Sequence, residues 1–236
     1  MALDVHSAAD FYATAQGIVA ARLIRKRIAA LWPDMTGRAV LGLGYAPPYL
    51  RAWREDARLT VAVTPAQYGA ARWPVGAANL TCMAEEDALP FSGPIFDRVL
   101  LVHGLEGAEN ARRLLREVWR VLKDDGRLMV VTPNRRGMWA YFENTPFGQG
   151  TPYSAGQVGR LLSQSLFRVE HRETALFLPP MEMRLVLRSN RLFERAGHWA
   201  VPQFAGVTIA EAVKDVYSAL PTNMTRSRRF VLAEAP

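Results

Sequence analysis

Segments with helical hydrophobic spacing alternate with short apolar runs along most of the chain. The first helical segment covers residues 7–31, where arginines occupy the side opposite the apolar positions. Ser7 and Asp10 resemble a capping box at the start of this segment, and Pro33 stops it. The pattern therefore predicts one amphipathic helix whose apolar positions are Phe11, Ile18, Leu23, Ile24, Ile28 and Leu31.

Short apolar runs bounded by turn residues predict strands in the rest of the chain. These runs lie at residues 38–43, 59–63, 79–83, 98–102, 127–131, 167–178 and 207–213. Helical spacing between them predicts helices at residues 47–57, 66–72, 109–122, 154–164 and 180–196. Strands and helices that alternate in this way form βαβ crossovers, so we expect a doubly wound, mostly parallel α/β sheet with an antiparallel edge near the end of the chain.

Local signals mark the ends of several predicted elements. Pro47 suits the first turn of a helix, and residues 124–126 predict a turn after the helix at 109–122. Ser154 and Gln157 form a capping box. Residues 134–153 form a loop longer than about 12 to 15 residues, a length that is typical of lids and binding loops.

The composition agrees with a globular protein and excludes several other classes. Half of the 236 residues are hydrophobic and 22% are charged, which excludes disordered and collagen-like chains. We expect a single domain over residues 1–236, with an N-terminal helix in residues 1–35, a core in 36–165 and C-terminal elements in 166–236.

Charge, cysteine and histidine content give expectations about partners, cellular location and metal binding. The net charge of +7 permits an anionic partner, but solvated faces better explain the basic clusters, which are Arg22-Arg25-Lys26-Arg27, Arg112-Arg113-Arg116 and Arg226-Arg228-Arg229. The single Cys82 lies in an apolar stretch, as a reduced and buried thiol would. Because the sequence shows no signal peptide and no apolar run long enough for a membrane span, we expect a cytoplasmic protein. The four histidines are too far apart to predict a metal site.

The first candidate ligand site follows the first predicted strand, because open α/β sheets bind ligands beyond the carboxyl ends of their strands. That segment reads Gly42-Leu43-Gly44-Tyr45-Ala46-Pro47-Pro48. Glycine at position 44 allows a sharp turn and the close approach of a ligand. A plain strand-to-helix turn explains the same residues nearly as well.

Four further motifs are more specific. They read Glu85-Glu86-Asp87-Ala88-Leu89-Pro90-Phe91, Phe96-Asp97-Arg98-Val99, His103-Gly104-Leu105-Glu106 and, over residues 114–128, LLREVWRVLKDDGRL. Their order and spacing within residues 38–165 resemble the class I S-adenosylmethionine-dependent methyltransferases, in particular the small-molecule subgroup that includes ubiquinone and menaquinone biosynthesis enzymes. The resemblance implies a seven-stranded Rossmann-like sheet, S-adenosylmethionine as cofactor and a small-molecule methyl acceptor.

The resemblance also implies roles for individual residues. In the family, the loop after the first strand passes under the methionine and ribose of the cofactor, and an acidic side chain at the end of the second strand binds the ribose. A further carboxylate accepts a hydrogen bond from the adenine amino group, and Glu85 aligns there with Asp87 as a substitute. The expected cofactor-binding residues are Gly42, Gly44, Tyr45, Ala46, Thr64, Glu85, Asp87 and Val102.

The glycine-rich loop departs from the family pattern. Ala46 and Pro48 stand in place of glycines, and Thr64 stands where the ribose-binding acid is expected. A hydroxyl accepts a weaker hydrogen bond than a carboxylate, and proline has no backbone donor. We therefore expect cofactor binding weaker than is usual for the family, with Tyr45 either packed against the cofactor or filling its space.

Methyl transfer from a sulfonium depends on alignment and exclusion of water, so no nucleophilic triad is expected. His103 is the candidate catalytic base, and a structural cap of the same loop is the alternative. Glu106 equally suits the start of the helix that follows. A planar or anionic acceptor would suit the loop at 134–153, whose candidate contacts are Asn134, Arg135, Arg136, Trp139, Phe147 and Tyr153; solvated arginines and self-packed aromatics are the alternative.

Several functions remain open at this point. The first is an active small-molecule methyltransferase, and the second is a catalytically inactive relative that regulates or scaffolds another protein. A nucleic-acid modifier would use the basic excess, but the sequence lacks aromatic residues interleaved with basic ones. A dinucleotide dehydrogenase is disfavoured because Pro47 stands where its motif requires glycine.

Overall fold

A computed structural model describes residues 4–69, 71–180, 194, 197 and 202–215. Seven strands form one sheet in the spatial order β3-β2-β1-β4-β5-β7-β6. Strands β1 to β5 pair with one another in parallel, whereas β7 runs antiparallel to both β5 and β6. The strands are β1 (Ala39–Gly44), β2 (Leu59–Pro65), β3 (Thr81–Ala84), β4 (Phe96–Val102), β5 (Leu122–Pro133), β6 (Phe167–Ala175) and β7 (Val207–Lys214).

Helices cover both faces of this sheet, which confirms the doubly wound fold. On one face, Ile28 of α2 lies in the same buried cluster as Val40 of β1. On the other face, Val118 of α4 shares a cluster with Leu41, because successive strand residues point to opposite sides. The helices are α1 (Val5–Ala13), α2 (Ala15–Leu31), α3 (Pro47–Leu50), α4 (Ala111–Val121) and α5 (Ala155–Gln164).

The N-terminal segment forms two helices rather than the one predicted over residues 7–31. Asp4 caps α1, so the predicted start at Ser7 is wrong. Thr14 ends α1 and caps α2 by accepting the backbone N–H of Gly17 at 3.0 Å. A Cβ at Gly17 would lie 2.0 Å from the carbonyl oxygen of Phe11, so glycine permits the close turn between the two helices.

The crossover from β1 to β2 contains less helix than predicted. Residues 47–57 were expected to be helical, but only α3 is, and turns with short-range hydrogen bonds such as Trp53 N–H to the Leu50 oxygen follow it. Among the described residues of the predicted helix at 66–72, the helical part is likewise limited to a 3₁₀ turn, Ala66–Tyr68. Prolines at both first positions of α3 leave it with few backbone donors, although they suit its first turn as predicted.

The remaining boundaries differ by smaller amounts. The turn predicted at 124–126 is wrong, because α4 ends at Val121 and β5 begins at Leu122. The capping box of Ser154 and Gln157 is confirmed at the start of α5. The helix predicted at residues 180–196 falls almost entirely outside the described residues. Within the described part of the chain, no helix is both long and apolar enough to span a bilayer.

Asp97 joins three strands at the amino edge of the sheet. Its carboxylate accepts the backbone N–H of Ala39, where β1 starts, at 2.7 Å and the ammonium of Lys123 in β5 at 2.8 Å. Burial alone would raise the pKa of Asp97, but these two hydrogen bonds together hold that pKa below its usual value. The aspartate of the Phe96-Asp97-Arg98-Val99 motif therefore supports the scaffold.

Glu117 and Arg120 of α4 fix the segment that precedes β4. Glu117 accepts the backbone N–H of Leu89 at 2.9 Å and pairs with Arg120 at 2.6 Å. Arg120 in turn donates to the carbonyl oxygens of Leu89 and Phe91. We call Asp97, Glu117 and Arg120 the scaffold clamp, since each joins segments that are distant in the sequence.

Candidate functional site

The loop after β1 lies against the end of β4. Gly44 has a φ of +77°, and a Cβ there would lie 2.2 Å from the carbonyl oxygen of Val102. The backbone N–H of Tyr45 donates to that same oxygen at 2.7 Å. Only glycine permits this approach, and the positive φ agrees with the sharp turn that the sequence predicts at Gly44.

An apolar cavity opens beside Gly44 at the carboxyl ends of β1, β2, β3 and β4. The cavity is small, with a volume of about 10 Å³, which is room for about one water molecule. Among the described residues that line it, Glu86 carries the charge. The other walls are Leu43, Val63, Pro65, Ala84, Leu89, Leu101 and Leu114, with the backbone of Gly44 and Gly104.

Glu86, rather than Glu85, faces this cavity. Its side chain is buried, and it accepts the backbone N–H of Asn110 at 2.9 Å and the amide of Gln67 at 3.4 Å. An ionised carboxylate has about four acceptor positions, so Glu86 retains capacity for a ligand donor. Glu85 is exposed and does not line the cavity. Asp87 is also exposed and pairs with Arg113 at 3.2 Å.

The other predicted cofactor contacts do not line the cavity. A Cβ at Gly42 would meet Leu50 at 2.5 Å and Ala46 at 2.6 Å, so Gly42 and Ala46 serve the packing of α3 on β1. Thr64 is buried at the end of β2 without lining the cavity. Tyr45 turns away from the cavity and stacks on Tyr12, with the ring centroids 5.5 Å apart.

His103 belongs to a buried chain of hydrogen bonds immediately after β4. Its Nδ1 lies 3.0 Å from a carboxylate oxygen of Glu106, whose other oxygen accepts the hydroxyl of Thr132 at 3.2 Å. On the opposite side of the ring, Nε2 lies 2.8 Å from the hydroxyl of Tyr12. Tyr12 Oη is also 2.9 Å from Tyr49 Oη. His103 has a φ of +52°, a backbone strain that often marks functional sites.

Tyr12 covers the ring nitrogen of His103 that a substrate would need. Burial and the neighbouring Tyr49 raise the pKa of Tyr12 well above its usual value, so its hydroxyl keeps its proton. The ring of Phe147 lies 4.9 Å from that of His103 and closes another side. Close by, Tyr68 Oη and Gln149 Oε1 are buried without a hydrogen-bond partner in the described part of the chain.

The predicted acceptor residues do not converge on one space. The side chain of Asn134 donates to the carbonyl oxygens of Gln203 and Ala205, which secures a loop. Arg135 and Arg136 are exposed. The indole of Trp139 is buried and donates to the carbonyl oxygen of Leu178. The remaining two aromatics are half-buried Tyr153 and fully buried Phe147.

Two residues of this region were not predicted from the sequence. Glu86 adjoins Glu85, and nothing in the spacing distinguished the two carboxylates. Tyr12 follows Phe11 in the first predicted helix. A hydrogen-bond partner for its hydroxyl could have been expected, since a buried tyrosine usually hydrogen-bonds through that group.

The strand order agrees with comparisons to other proteins. The family model described as a methyltransferase domain matches residues 30–130. Over those residues the chain is similar to methyltransferase domains. No curated protein matches the sequence significantly.

Solved structures share the fold at low sequence identity. An S-adenosylmethionine-dependent methyltransferase from Mesorhizobium loti is 16% identical, with a TM-score of 0.59, and the alignment covers 86% of this chain and 99% of that one. The protein in complex with the Haloferax volcanii Trm112 methyltransferase activator is 18% identical, with a TM-score of 0.59 and coverages of 89% and 97%. The [4+2]-cyclase SpnF is 21% identical, with a TM-score of 0.55 and coverages of 82% and 81%. A cyclase among these neighbours illustrates that the fold does not determine the reaction.

Proposed function

We propose that the protein transfers a methyl group from S-adenosylmethionine to a small-molecule acceptor. The observation that carries this proposal is the cavity beside Gly44, which combines apolar walls, exposed backbone and one buried carboxylate at the carboxyl edge of the sheet. Open α/β sheets bind their ligands at this edge. The family match over residues 30–130 supports S-adenosylmethionine as the ligand.

The chemistry of the cavity walls suits the adenosine part of the cofactor, and the walls must move apart to admit it. Leu89, Leu101 and Leu114 provide apolar surface for a flat ring, and the Glu86 carboxylate offers an acceptor to an amino group or a hydroxyl. We assign to Glu86 the contact that the sequence suggested for Glu85. Thr64 offers no carboxylate to the ribose, which supports an affinity below the family's usual range.

His103 is the proposed base. When bound, S-adenosylmethionine supplies an electrophilic methyl group; the protein must orient the acceptor and receive its proton. Glu106 accepts from Nδ1 if that nitrogen carries the ring proton, which leaves Nε2 free to take a proton once Tyr12 is displaced. Thr132 in turn orients Glu106 through its hydroxyl.

Calorimetry with S-adenosylhomocysteine tests the assignment of the cavity. We expect Glu86→Gln to weaken binding about tenfold or more, because a charge-assisted hydrogen bond is replaced by a neutral one. Glu85→Gln is the matched control and should leave the affinity within about twofold, since that side chain is exposed. Equal losses in both variants would contradict the assignment of Glu86, and no binding to the wild-type protein at millimolar ligand would contradict the methyltransferase proposal.

A catalytically inactive relative that acts on a protein partner is the second candidate. The contact between Tyr12 and His103 favours it, because the nitrogen proposed as a base is already occupied by the chain itself. The same calorimetry separates the two functions: the inactive relative predicts no heat with S-adenosylhomocysteine and stable association with a partner protein.

A further inference from the structure

A second open space lies on the outer side of the Tyr12–Tyr45 pair. It is a groove between α1, α2 and the segment that follows β1, with a volume of about 330 Å³. Small-molecule sites usually enclose about 300 to 1,000 Å³, so this groove lies at the lower end of the range for ligand sites. It shares no lining residue with the cavity beside Gly44.

The walls of this groove are aromatic and apolar. Tyr12 and Tyr45 stack nearly parallel, with an interplanar angle of 16°, and form one wall. Trp73, which is half-buried, lines the groove together with Pro47 and Pro48. Flat surfaces of this kind favour a planar ligand, since aromatic pairs gain from offset or edge contacts beyond the area that they bury.

Two guanidinium groups line the same groove. Arg25 projects from α2 and is half-buried, whereas Arg51 follows α3 and is exposed. Among the described residues, no carboxylate lies within 4 Å of either group, and neither makes a side-chain hydrogen bond there. By contrast, neighbouring Arg54 pairs with Glu55 at 3.2 Å.

The charge balance of the groove is positive. Burial is the main cause that raises the pKa of Tyr45 to about 12, and the negative charge of Asp10 in α1 adds to this increase. Asp10 does not line the groove, so Arg25 and Arg51 are the charged residues among its described walls. The sequence explains the cluster that includes Arg25 as a solvated face, but Arg25 is half-buried and lines the groove together with aromatic rings.

We propose that this groove binds a small anion with a planar apolar body and one carboxylate or phosphate group. The rings and prolines hold the body, and the guanidinium groups of Arg25 and Arg51 hold the acidic group, which they can bind with paired N–H donors. This site is separate from the cavity beside Gly44, and it does not depend on the proposed methyl transfer.

Calorimetry with 2-naphthoate tests the proposal. We expect one molecule to bind per chain, with 2-naphthamide at least tenfold weaker because it lacks the charge. The double variant Arg25→Gln, Arg51→Gln should lose at least tenfold in affinity for 2-naphthoate, and the control Arg54→Gln should stay within twofold of the wild type. Circular dichroism confirms that each variant is folded.

Four results would overturn the proposal. One is the absence of 2-naphthoate binding at millimolar concentration, and another is equal affinity in the wild type and the double variant. The third is complete displacement of 2-naphthoate by saturating S-adenosylhomocysteine, which would make the groove part of the cofactor site. Binding of inorganic phosphate as tight as that of 2-naphthyl phosphate would contradict the role of the planar body.

Discussion

The two halves of the carboxyl edge differ in what fills them. Beside Gly44, the sheet leaves an apolar space with a buried carboxylate at its wall. Beyond β4, side chains of the protein occupy the centre: Tyr12 binds Nε2 of His103, and Phe147 packs against the ring. The first half is a small cavity walled mostly by aliphatic side chains, whereas the second is closed by α1.

This difference separates binding from reaction. The cavity beside Gly44 is lined mostly by aliphatic side chains, so a ligand must move these apolar walls apart to enter it. An acceptor that uses His103 must first displace the hydroxyl of Tyr12, which costs about 0.5–1.5 kcal/mol for a typical hydrogen bond. We therefore expect variants of the two halves to affect different measured quantities.

The largest expected effect concerns turnover. His103→Gln should lower kcat by about 10² to 10⁴, since the amide still fills the space but cannot accept a proton at neutral pH. Affinity for S-adenosylhomocysteine should stay within about threefold, because His103 does not line the cavity beside Gly44. Steady-state kinetics with a methyl acceptor and calorimetry provide the two readouts. A parallel fall in both would show that the halves are not independent.

The next effect concerns the turn at Gly44. Gly44→Ala should lower the free energy of unfolding by about 3 kcal/mol, because strain at positive φ adds to a clash with the Val102 carbonyl. Gly37→Ala is the matched control, since Gly37 has a φ of +72° with nothing within 4 Å of an added Cβ. We expect about 1 kcal/mol there. Urea unfolding of both variants gives the comparison, and equal losses would contradict the clash.

The smallest effect concerns the hydroxyl of Tyr12. Tyr12→Phe removes the contacts to His103 and Tyr49 and should lower the free energy of unfolding by about 1–2 kcal/mol. If Tyr12 obstructs His103, the same variant should raise kcat/KM, or at least leave it unchanged. A loss of kcat/KM in a folded Tyr12→Phe protein would assign Tyr12 a positive role in the reaction.

The fold was predictable wherever one local pattern dominated. Five leucines and valines at helical spacing predict the helix that the structure shows as α4, and continuous apolar runs predict the central strands. The helix predicted at residues 47–57 is too long, because apolar spacing continues through turns whose hydrogen bonds, such as Trp53 N–H to the Leu50 oxygen, do not form a continuous helix. The break at Thr14 depends on a side-chain cap and a glycine contact, which periodicity does not report.

The site was predictable in position but less so in detail. Gly44 and His103 were expected at the ends of the first and fourth predicted strands, and the structure places them there. Which of two adjacent glutamates faces the cavity depends on the twist of the backbone after β3, and neither composition nor spacing determines it. The contact of Tyr12 with His103 joins residues 91 positions apart, so it depends on the packed fold.

The scaffold clamp has a consequence for altering this molecule. Asp97 joins strands at the amino edge of the sheet, opposite the cavity beside Gly44, whereas Glu117 and Arg120 hold Leu89, which follows β3 and lines that cavity. Their hydrogen bonds go to residues outside the loops that follow β1 and β4. Loops that follow β1 and β4 can therefore be exchanged for others without touching the contacts that hold the strands in order. If those three side chains are kept, the ligand specificity of the loops can be changed separately from the thermal stability of the sheet.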